Sequence, residues 1–224
     1  MAQVRSNQFV LPFFDVFVFF DWYNTLSTAA FWDSIVLNDR HPLSAQLRDA
    51  LEELFRGRKD YVRGWMRGAV TDAEVIATLN VTLPATYRDD YLLRKLLGDC
   101  KSAQIDPEMM GIVRELRQRA FLAVASDNMD CFVHAAPKVL TGELRIDELI
   151  VSSEVGSLKK ESPQQFFGPT LERYGLDPAR AILIDDCADT CEEFRSWGGH
   201  AFHFTTPATL RDDISSRWPI TSIS

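Results

Sequence analysis

The sequence predicts an α/β fold in which a doubly wound parallel sheet forms the core and a small all-helical segment forms a cap. Three apolar runs, residues 16–20, 121–125 and 181–184, have the β-branched and aromatic composition of strands that are buried on both faces. Segments with helical spacing separate these runs, which favours parallel strands joined by crossover helices. Each run ends in polar residues, and the carboxyl ends of parallel strands meet at one edge of the sheet. The sequence therefore predicts one polar cleft at that edge.

Two core helices are predicted from the positions of prolines. Pro107 to Arg119 and Pro163 to Tyr174 both have helical spacing, and both open with a proline. Proline suits the first turn of a helix because the backbone N–H that it lacks would have no partner there. Helices that separate successive strand runs are typical of a Rossmann-like core.

Residues 28–104 have a different character. They contain no comparable strand run, while Leu43 to Phe55 and Thr71 to Leu79 have amphipathic helical spacing. We therefore predict that residues 1–27 and 105–224 form the Rossmann-like core and that residues 28–104 form a helical cap domain.

Composition argues against several classes of partner. The 224 residues carry 24 Lys and Arg against 32 Asp and Glu, a formal net charge of -8. Nucleic acid is therefore not an expected partner, because phosphate backbones are held by clustered cations. The four cysteines form neither a C-x-x-C pair nor a dense disulfide pattern, which is typical of free thiols in the cytoplasm. We expect a cytoplasmic protein.

The apolar run from Phe9 to Phe20 is too short to span a bilayer, and Pro12 and Asp15 interrupt it. No small-residue cleavage site follows this run, so its second half is interpreted as a strand rather than as part of a targeting segment. We therefore expect no membrane association.

The most specific pattern follows the first strand run, where residues 20–26 read Phe-Asp-Trp-Tyr-Asn-Thr-Leu. Asp21 stands at the strand tip. A carboxylate there can attack an electrophile in line and form a covalent ester or acyl phosphate that water then cleaves. Asp15 also follows two phenylalanines, but it has no Thr-Leu pair four and five residues later. Asp21 is therefore the predicted nucleophile.

Polar residues follow the other two strand runs as well. They are Ser126, Asp127 and Asn128 after the second run, and Asp185 and Asp186 after the third. A hydroxyl and backbone N–H groups can hold an anion without adding charge, although such a sequence also fits the N-cap of a helix. The paired acids would repel each other and Asp21 unless a divalent cation lay among them. Mg²⁺ suits this role because it prefers oxygen ligands.

These segments, with the lysine-containing stretch 156–163, resemble the four motifs of the haloacid dehalogenase superfamily. The first motif of that family is D-x-D-x-T-[LV], and the third is G-x-x-K-P-D-P-x-x-[FY]. The resemblance implies a hydrolase with an aspartate nucleophile and Mg²⁺ that acts on a small phosphorylated metabolite, as a monomer or homodimer. It assigns catalysis to Asp21, Tyr23, Ser126 and Lys160, substrate binding to Thr25, Asp127, Asn128 and Lys159, and metal binding to Asp21, the backbone carbonyl of Tyr23, Asp185 and Asp186.

The choice between the two lysines depends on how the third motif is aligned. Counting back from Pro163 and Phe166 selects Lys160, whereas counting forward from Gly156 selects Lys159. The sequence carries one extra residue here, and Lys160 is favoured. The role of the chosen lysine would be electrostatic, because an ammonium near Asp21 keeps that carboxylate ionised and offsets charge in the transition state.

Tyr23 departs from the pattern, because phosphatases of the family carry a second Asp there as general acid and base. A tyrosine is a poor proton donor and acceptor at neutral pH. Dehalogenases of the family carry D-x-Y and release a halide, which needs no proton, but they lack the Asp185-Asp186 pair. Phosphonoacetaldehyde hydrolases carry D-W-A-G-T and a cap lysine, so Trp22 and Lys59 suggest a third chemistry. A catalytically degenerate protein that binds a phosphorylated ligand also stays open.

Overall fold

The computed structural model describes residue 14, residues 16–142 and residues 144–217. Asp15 and the N-terminal half of the apolar run lie outside the described residues. Within the described ranges, five strands form one parallel sheet in the order β3-β2-β1-β4-β5. The strands are β1 Phe17–Phe20, β2 Phe121–Ser126, β3 Glu148–Val151, β4 Ala181–Asp185 and β5 His200–His203. This topology confirms the predicted Rossmann-like α/β fold.

The central strand β1 is covered on both faces. Its four residues are at most 1% exposed, and their side chains alternate between two apolar clusters. Phe17 and Phe19 pack on one side with Phe167, which lies in a helix that follows β3. Val18 and Phe20 pack on the other side. A strand between two apolar layers reads as a continuous hydrophobic run, which is why its sequence predicts it well.

The two edge strands were not predicted, because neither has a continuous apolar run. Strand β3 begins with the half-buried Glu148, and β5 begins and ends with the histidines His200 and His203. Edge strands pair on one side only and are less covered, so polar residues are tolerated in them. Periodicity alone therefore could not distinguish these segments from loops.

Helices flank the sheet and follow the strands. They are α6 Pro107–Leu116, α7 Asp130–His134, α8 Lys138–Thr141, α9 Ser152–Val155, α10 Pro163–Tyr174, α11 Ala188–Ser196 and α12 Pro207–Arg217, with a 3₁₀ turn at Pro178–Arg180. Helices α6 and α10 begin at the predicted prolines, and the side chains of Asp106 and Ser162 cap them by accepting backbone N–H bonds. Over the described part of the chain, no helix has the length and apolar character needed to cross a bilayer.

The insert after β1 is helical, and its fully described stretch 28–104 contains no strand. Its helices are α1 Asp33–Val36, α2 Ser44–Glu52, α3 Lys59–Met66, α4 Asp72–Thr78 and α5 Tyr91–Ser102, with a π-helical turn Glu53–Gly57 after α2. Trp32 and Trp65 are fully buried in an apolar cluster of the insert, which also takes in Met129 and Cys131 of the core. The helical character is thus confirmed, while its division into a separate domain stays a prediction.

The chain enters and leaves the insert at neighbouring points. The Ser27 hydroxyl donates to the Gln104 carbonyl over 2.6 Å, and the Asp106 N–H donates to the Leu26 carbonyl over 2.9 Å. These two bonds tie the predicted hinges together. They leave the insert placed above the carboxyl ends of the strands.

A second contact joins the end of α3 to the core. The Ser152 hydroxyl donates to the Met66 carbonyl over 2.6 Å, and Arg67 forms an ion pair with Glu161. Gly68 has a positive φ of 72°, and a Cβ at this position would lie 2.2 Å from the Ser153 carbonyl oxygen. Only glycine allows this close approach of the two backbones without strain.

A pair of carboxyl groups also bridges insert and core. The indole N–H of Trp65 donates to Asp72 over 2.9 Å and to Asp130 over 3.1 Å, and the Asp72 N–H donates to Asp130 over 3.2 Å. Burial and the hydrogen bond to Asp130 raise the pKa of Asp72 to about 7. Burial alone would raise the pKa of Asp130, but hydrogen bonds from Asp72 outweigh it and lower that pKa. Asp72 is therefore the carboxyl of this pair that holds a proton more readily.

We predict that Asp72→Asn makes the free energy of unfolding less dependent on pH. The pKa of Asp72 rises from 3.8 to about 7 on folding, so the folded state binds this proton more tightly and stability falls as pH rises through that window. The slope from this group is at most about 1.4 kcal/mol per pH unit. Asparagine accepts the Trp65 bond but does not titrate.

The measurement is urea unfolding between about pH 5 and about pH 8, where the lowered pKa of Asp130 contributes no slope. His134 lies beside the pair in both proteins. Asp60→Asn is the control, since the Asp60 side chain on α3 is 96% exposed. Equal pH slopes in the wild type and in Asp72→Asn would contradict the raised pKa of Asp72.

Candidate active site

The predicted nucleophile and the predicted acid pair meet because their strands are neighbours. Phe20 pairs with Ile184 in the β1–β4 register, so Asp21 and Asp185 leave adjacent strands at the same level. The Asp21 N–H donates to the Ile184 carbonyl over 2.9 Å, and the Cys187 N–H donates to Asp185 Oδ1 over 2.9 Å. Asp21 is 7% exposed and Asp185 is 1% exposed. Both carboxylates are thus fixed by the sheet at its carboxyl edge.

Lys159 lies between these two carboxylates. Its Nζ donates to Asp21 Oδ1 over 2.6 Å and to Asp185 Oδ2 over 2.5 Å. The lysine is 3% exposed and its backbone N–H donates to Asp127 Oδ1 over 2.9 Å. Hydrogen bonds between ionised groups are stronger than neutral ones, and two of them orient this ammonium.

The preference for Lys160 in the cleft is wrong. Lys160 is exposed, and its Nζ lies 3.5 Å from Asp189 on the outer side of α11. The chain turns directly after the buried Lys159, with the Glu161 N–H donating to the Leu158 carbonyl. The extra residue is therefore accommodated in the turn that follows the lysine, and counting forward from Gly156 gives the right position.

The charges of this cluster shift one another's titration. Burial raises the pKa of Asp21 to about 7; the Lys159 charge opposes that rise and Asp185 adds to it. Burial lowers the pKa of Lys159, but the carboxylates of Asp21 and Asp185 outweigh burial and hold it above its usual range. Lys159 is therefore a fixed cation. Two acids share that single ammonium, so a further cation would favour their ionised forms.

Asp186 completes a cluster of three carboxylates with Asp21 and Asp185. One oxygen of each lies within 4.8 Å of the others. The ligand atoms are all carboxylate oxygens, which suits a hard divalent cation such as Mg²⁺ and does not suit metals that prefer thiolates. The predicted metal ligands among side chains are therefore together in one place. The carbonyl of Tyr23 stays a predicted ligand.

The residues after β2 line the other side of the cleft. Ser126 is 1% exposed, and the Asn128 side-chain amide lies 3.4 Å from its hydroxyl. Asp127 is held by the Lys159 N–H, and burial raises its pKa against the influence of Lys159. Thr25 is 3% exposed, and its hydroxyl is buried without a hydrogen-bond partner among the described residues. An unpaired buried hydroxyl is costly and marks a position where a ligand oxygen can bind.

Sequence reasoning missed Ser152, which positions Asn128. The Ser152 hydroxyl accepts the Asn128 N–H over 2.9 Å and is fully buried at the end of β3. The same hydroxyl contacts the Met66 carbonyl of the insert. No sequence signal identifies this residue, because strand β3 itself was not predicted.

A cavity of about 620 Å³ lies beside this cleft, beneath the insert, and Asp21, Lys159 and Asp185 are not among its lining residues. Tyr23 and Trp22 line it from the nucleophile loop, and Asp127 and Asn128 line it from the β2 loop. Tyr23 is 48% exposed, so its hydroxyl is not locked into the acid cluster. Lys59 begins α3, is exposed and is not among the residues that line the cavity. That position does not favour the Schiff-base chemistry suggested by the sequence.

Several solved structures have a similar fold. A HAD family enzyme from Bacteroides thetaiotaomicron, solved in complex with magnesium and inorganic phosphate, has a TM-score of 0.60 and 15% identity over 85% of this chain and 94% of that chain. A predicted HAD-like family hydrolase from Porphyromonas gingivalis has a TM-score of 0.58 and 13% identity over 88% and 96%. A 2-haloacid dehalogenase from Pseudomonas syringae pv. tomato has a TM-score of 0.54 and 16% identity over 91% and 99%.

At the level of sequence, no curated protein matches the chain significantly. The sequence profile of the haloacid dehalogenase-like hydrolases matches residues 17–196. This match runs from the first residue of β1 to the last residue of α11, so it contains the nucleophile loop, the insert, the lysine and the acid pair. The chain belongs to the haloacid dehalogenase-like hydrolase family.

Proposed function

We propose that this protein is a Mg²⁺-dependent hydrolase of small phosphorylated compounds, with Asp21 as its nucleophile. The observation that carries the proposal is the position of Lys159 Nζ, 2.6 Å from Asp21 and 2.5 Å from Asp185. A fixed ammonium beside a nucleophilic carboxylate and a metal-binding carboxylate suits an anionic substrate, because it offsets the negative charge of a phosphoryl group. The free state of all four cysteines supports the predicted cytoplasmic location, and a monomeric or homodimeric state stays a prediction.

The first step is an in-line attack. A carboxylate oxygen of Asp21 forms a bond to phosphorus, the bond from phosphorus to the leaving oxygen breaks, and that oxygen departs with the electron pair. Lys159 favours the ionised form of Asp21 and offsets charge on the phosphoryl oxygens. Ser126 and Thr25 are predicted to donate hydroxyl hydrogen bonds to those oxygens. Water then cleaves the aspartyl phosphate and regenerates Asp21.

Mg²⁺ would be held by Asp21, Asp185 and Asp186, and by the predicted Tyr23 carbonyl. It supplies positive charge that neutralises the phosphoryl oxygens and lowers the pKa of nearby carboxylates. The matching acid cluster supports phosphate chemistry over metal-free dehalogenation.

Tyr23 sets the preference among leaving groups. It provides no carboxylate to protonate a departing alkoxide, and general acid help of that kind is worth about 10²- to 10⁴-fold. The leaving groups of acyl and aryl phosphates are carboxylates and aryloxides. These are more stable anions than alkoxides and need less protonation. We therefore propose slow turnover of alkyl monoesters and faster turnover of acyl and aryl phosphates.

We predict that phosphate release from acyl and aryl phosphates requires Mg²⁺ and falls by at least about 10³-fold in Asp21→Asn. Asp39→Asn is the control, because the Asp39 side chain is 88% exposed and does not belong to the acid cluster. The measurement is a phosphate-release assay over acyl, aryl and alkyl phosphates and 2-haloacids, with and without a chelator. Halide release that a chelator does not affect would assign the dehalogenase alternative. Phosphate-ligand binding without any turnover would assign the degenerate binding protein.

The adjacent lysines give a matched pair of variants. Lys159→Met should lower kcat/KM by at least about 10²-fold, because the ammonium that stabilises the transition state is lost. It should also move the acidic limb of the pH–rate profile to higher pH, since Lys159 lowers the pKa of Asp21. Lys160→Met should change kcat/KM by less than about twofold. The reverse result, with Lys160 essential and Lys159 dispensable, would refute the assigned site.

Mg²⁺ should raise the unfolding temperature of the protein, because it binds the folded acid cluster and not the unfolded chain. Stabilisation reaches about 2.7 kcal/mol at a free concentration one hundred times Kd. Asp186→Asn should lose most of this shift, whereas Asp189→Asn, whose side chain is 74% exposed, should keep it. Differential scanning fluorimetry over a Mg²⁺ titration measures both. A full shift in Asp186→Asn would remove Asp186 from the ligand set.

A further inference from the structure

The cavity beside the acid cluster is far larger than a phosphoryl group. Its volume of about 620 Å³ falls in the usual range for small-molecule sites. Trp22 and Asp127, which line it, directly follow Asp21 and Ser126 in the sequence. A substrate whose phosphoryl group lies at Asp21 would therefore extend its remaining part into this cavity.

Aromatic side chains form the walls. The rings of Phe31 and Phe55 lie parallel, with an interplanar angle of 6° and centroids 6.4 Å apart, and both line the cavity. Trp22 and Phe132 form a second pair with centroids 5.3 Å apart at the core side. Such surfaces bind planar apolar groups by offset stacking and edge contacts.

Phe55 is presented by an unusual backbone element. It lies in the π-helical turn Glu53–Gly57, and π-helical turns are frequent at functional sites. Three large apolar side chains are exposed over the described ranges, and two of them, Tyr23 and Phe55, line this cavity. The third, Leu37, does not. Exposed apolar surface concentrated in one concave place marks a binding site rather than scattered surface variation.

Charge limits what the cavity accepts. Among the described residues that line it, four carboxylates face a single guanidinium, that of Arg56, which pairs with Glu52 over 2.6 Å. Two of these carboxylates belong to helices of the insert, Asp33 to α1 and Asp99 to α5. A second anionic group on the substrate would meet repulsion there. The acidic lining therefore disfavours an anionic group, and the aromatic walls favour an uncharged one.

We propose that the cavity binds an uncharged aromatic leaving group, so that the substrates are monophosphate esters of phenol-type compounds with Phe55 as a specificity-determining residue. This inference rests on the proposed function. In the reaction, the bond between phosphorus and the aryl oxygen breaks and the aryl oxygen leaves with the electron pair as an aryloxide, which water protonates. An aryloxide is a more stable anion than an alkoxide, so it fits a site in which Tyr23 stands in place of an acid.

The test compares hydrolysis with binding that needs no hydrolysis. The substrates are 2-naphthyl phosphate, which carries an aromatic group, and acetyl phosphate, which carries none. The binding probe is 2-naphthol, whose own fluorescence reports its association with the protein. The variants are Phe55→Ala, the conservative Phe55→Trp, and Leu37→Ala as the control, because Leu37 is 76% exposed and outside the cavity.

Phe55→Ala should lower kcat/KM for 2-naphthyl phosphate and weaken 2-naphthol binding, each by about tenfold, from the loss of one aromatic wall. It should change kcat/KM for acetyl phosphate by less than about twofold. Phe55→Trp should restore most of the binding, and Leu37→Ala should match the wild type. Absence of 2-naphthol binding, or equal binding by wild type and Phe55→Ala, overturns the proposal.

The two proposals fail in different ways. Turnover of acetyl phosphate without any binding of 2-naphthol would leave the hydrolase in place and overturn the aromatic cavity. Binding of 2-naphthol that depends on Phe55, without turnover of any phosphate, would support the aromatic cavity and overturn the hydrolase.

Discussion

The site depends on one buried ion cluster, in which the ammonium of Lys159 joins the carboxylates of Asp21 and Asp185. Burying these carboxylates without a cation would be strongly unfavourable, because each loses its hydration and each repels the other. The ammonium offsets that cost only in the geometry observed, with both hydrogen bonds made. Adjacent strands β1 and β4 fix the two acids, and the turn after α9 brings the lysine. The ion cluster therefore forms only when β1 and β4 lie side by side and the turn after α9 reaches the same edge of the sheet.

The helical insert adds a second chemistry to this polar edge. Its contacts to the core run through Ser152, Glu161 and the carboxyl pair of Asp72 and Asp130, and they hold the insert over the strand ends. The space left beneath it is polar at the acids and aromatic at Phe31 and Phe55. Bond cleavage is proposed for the core, while residues of both the insert and the core line the cavity proposed for the organic group.

Buried strands carry the strongest sequence signal in this protein. Strands β1, β2 and β4 were predicted to within one residue at each end, because both of their faces need apolar side chains. The prolines of α6 and α10 also gave the correct helix starts. Strands β3 and β5 were missed, since the polar residues at their ends are also typical of loops. Ser152 was missed with β3, because its role depends on that strand's place in the sheet.

The sequence by itself determined the α/β class and the place of Asp21 and the acid pair at one edge of the sheet, because the carboxyl ends of parallel strands must share one edge. Only the tertiary structure decided that Lys159 rather than Lys160 enters the cleft, since adjacent residues in a turn point in different directions and spacing does not specify which. It also decided the hydrogen-bonded contact of Asp72 with Asp130 and the aromatic cavity. Both arise between segments distant in sequence, where packing and not local pattern sets the distances.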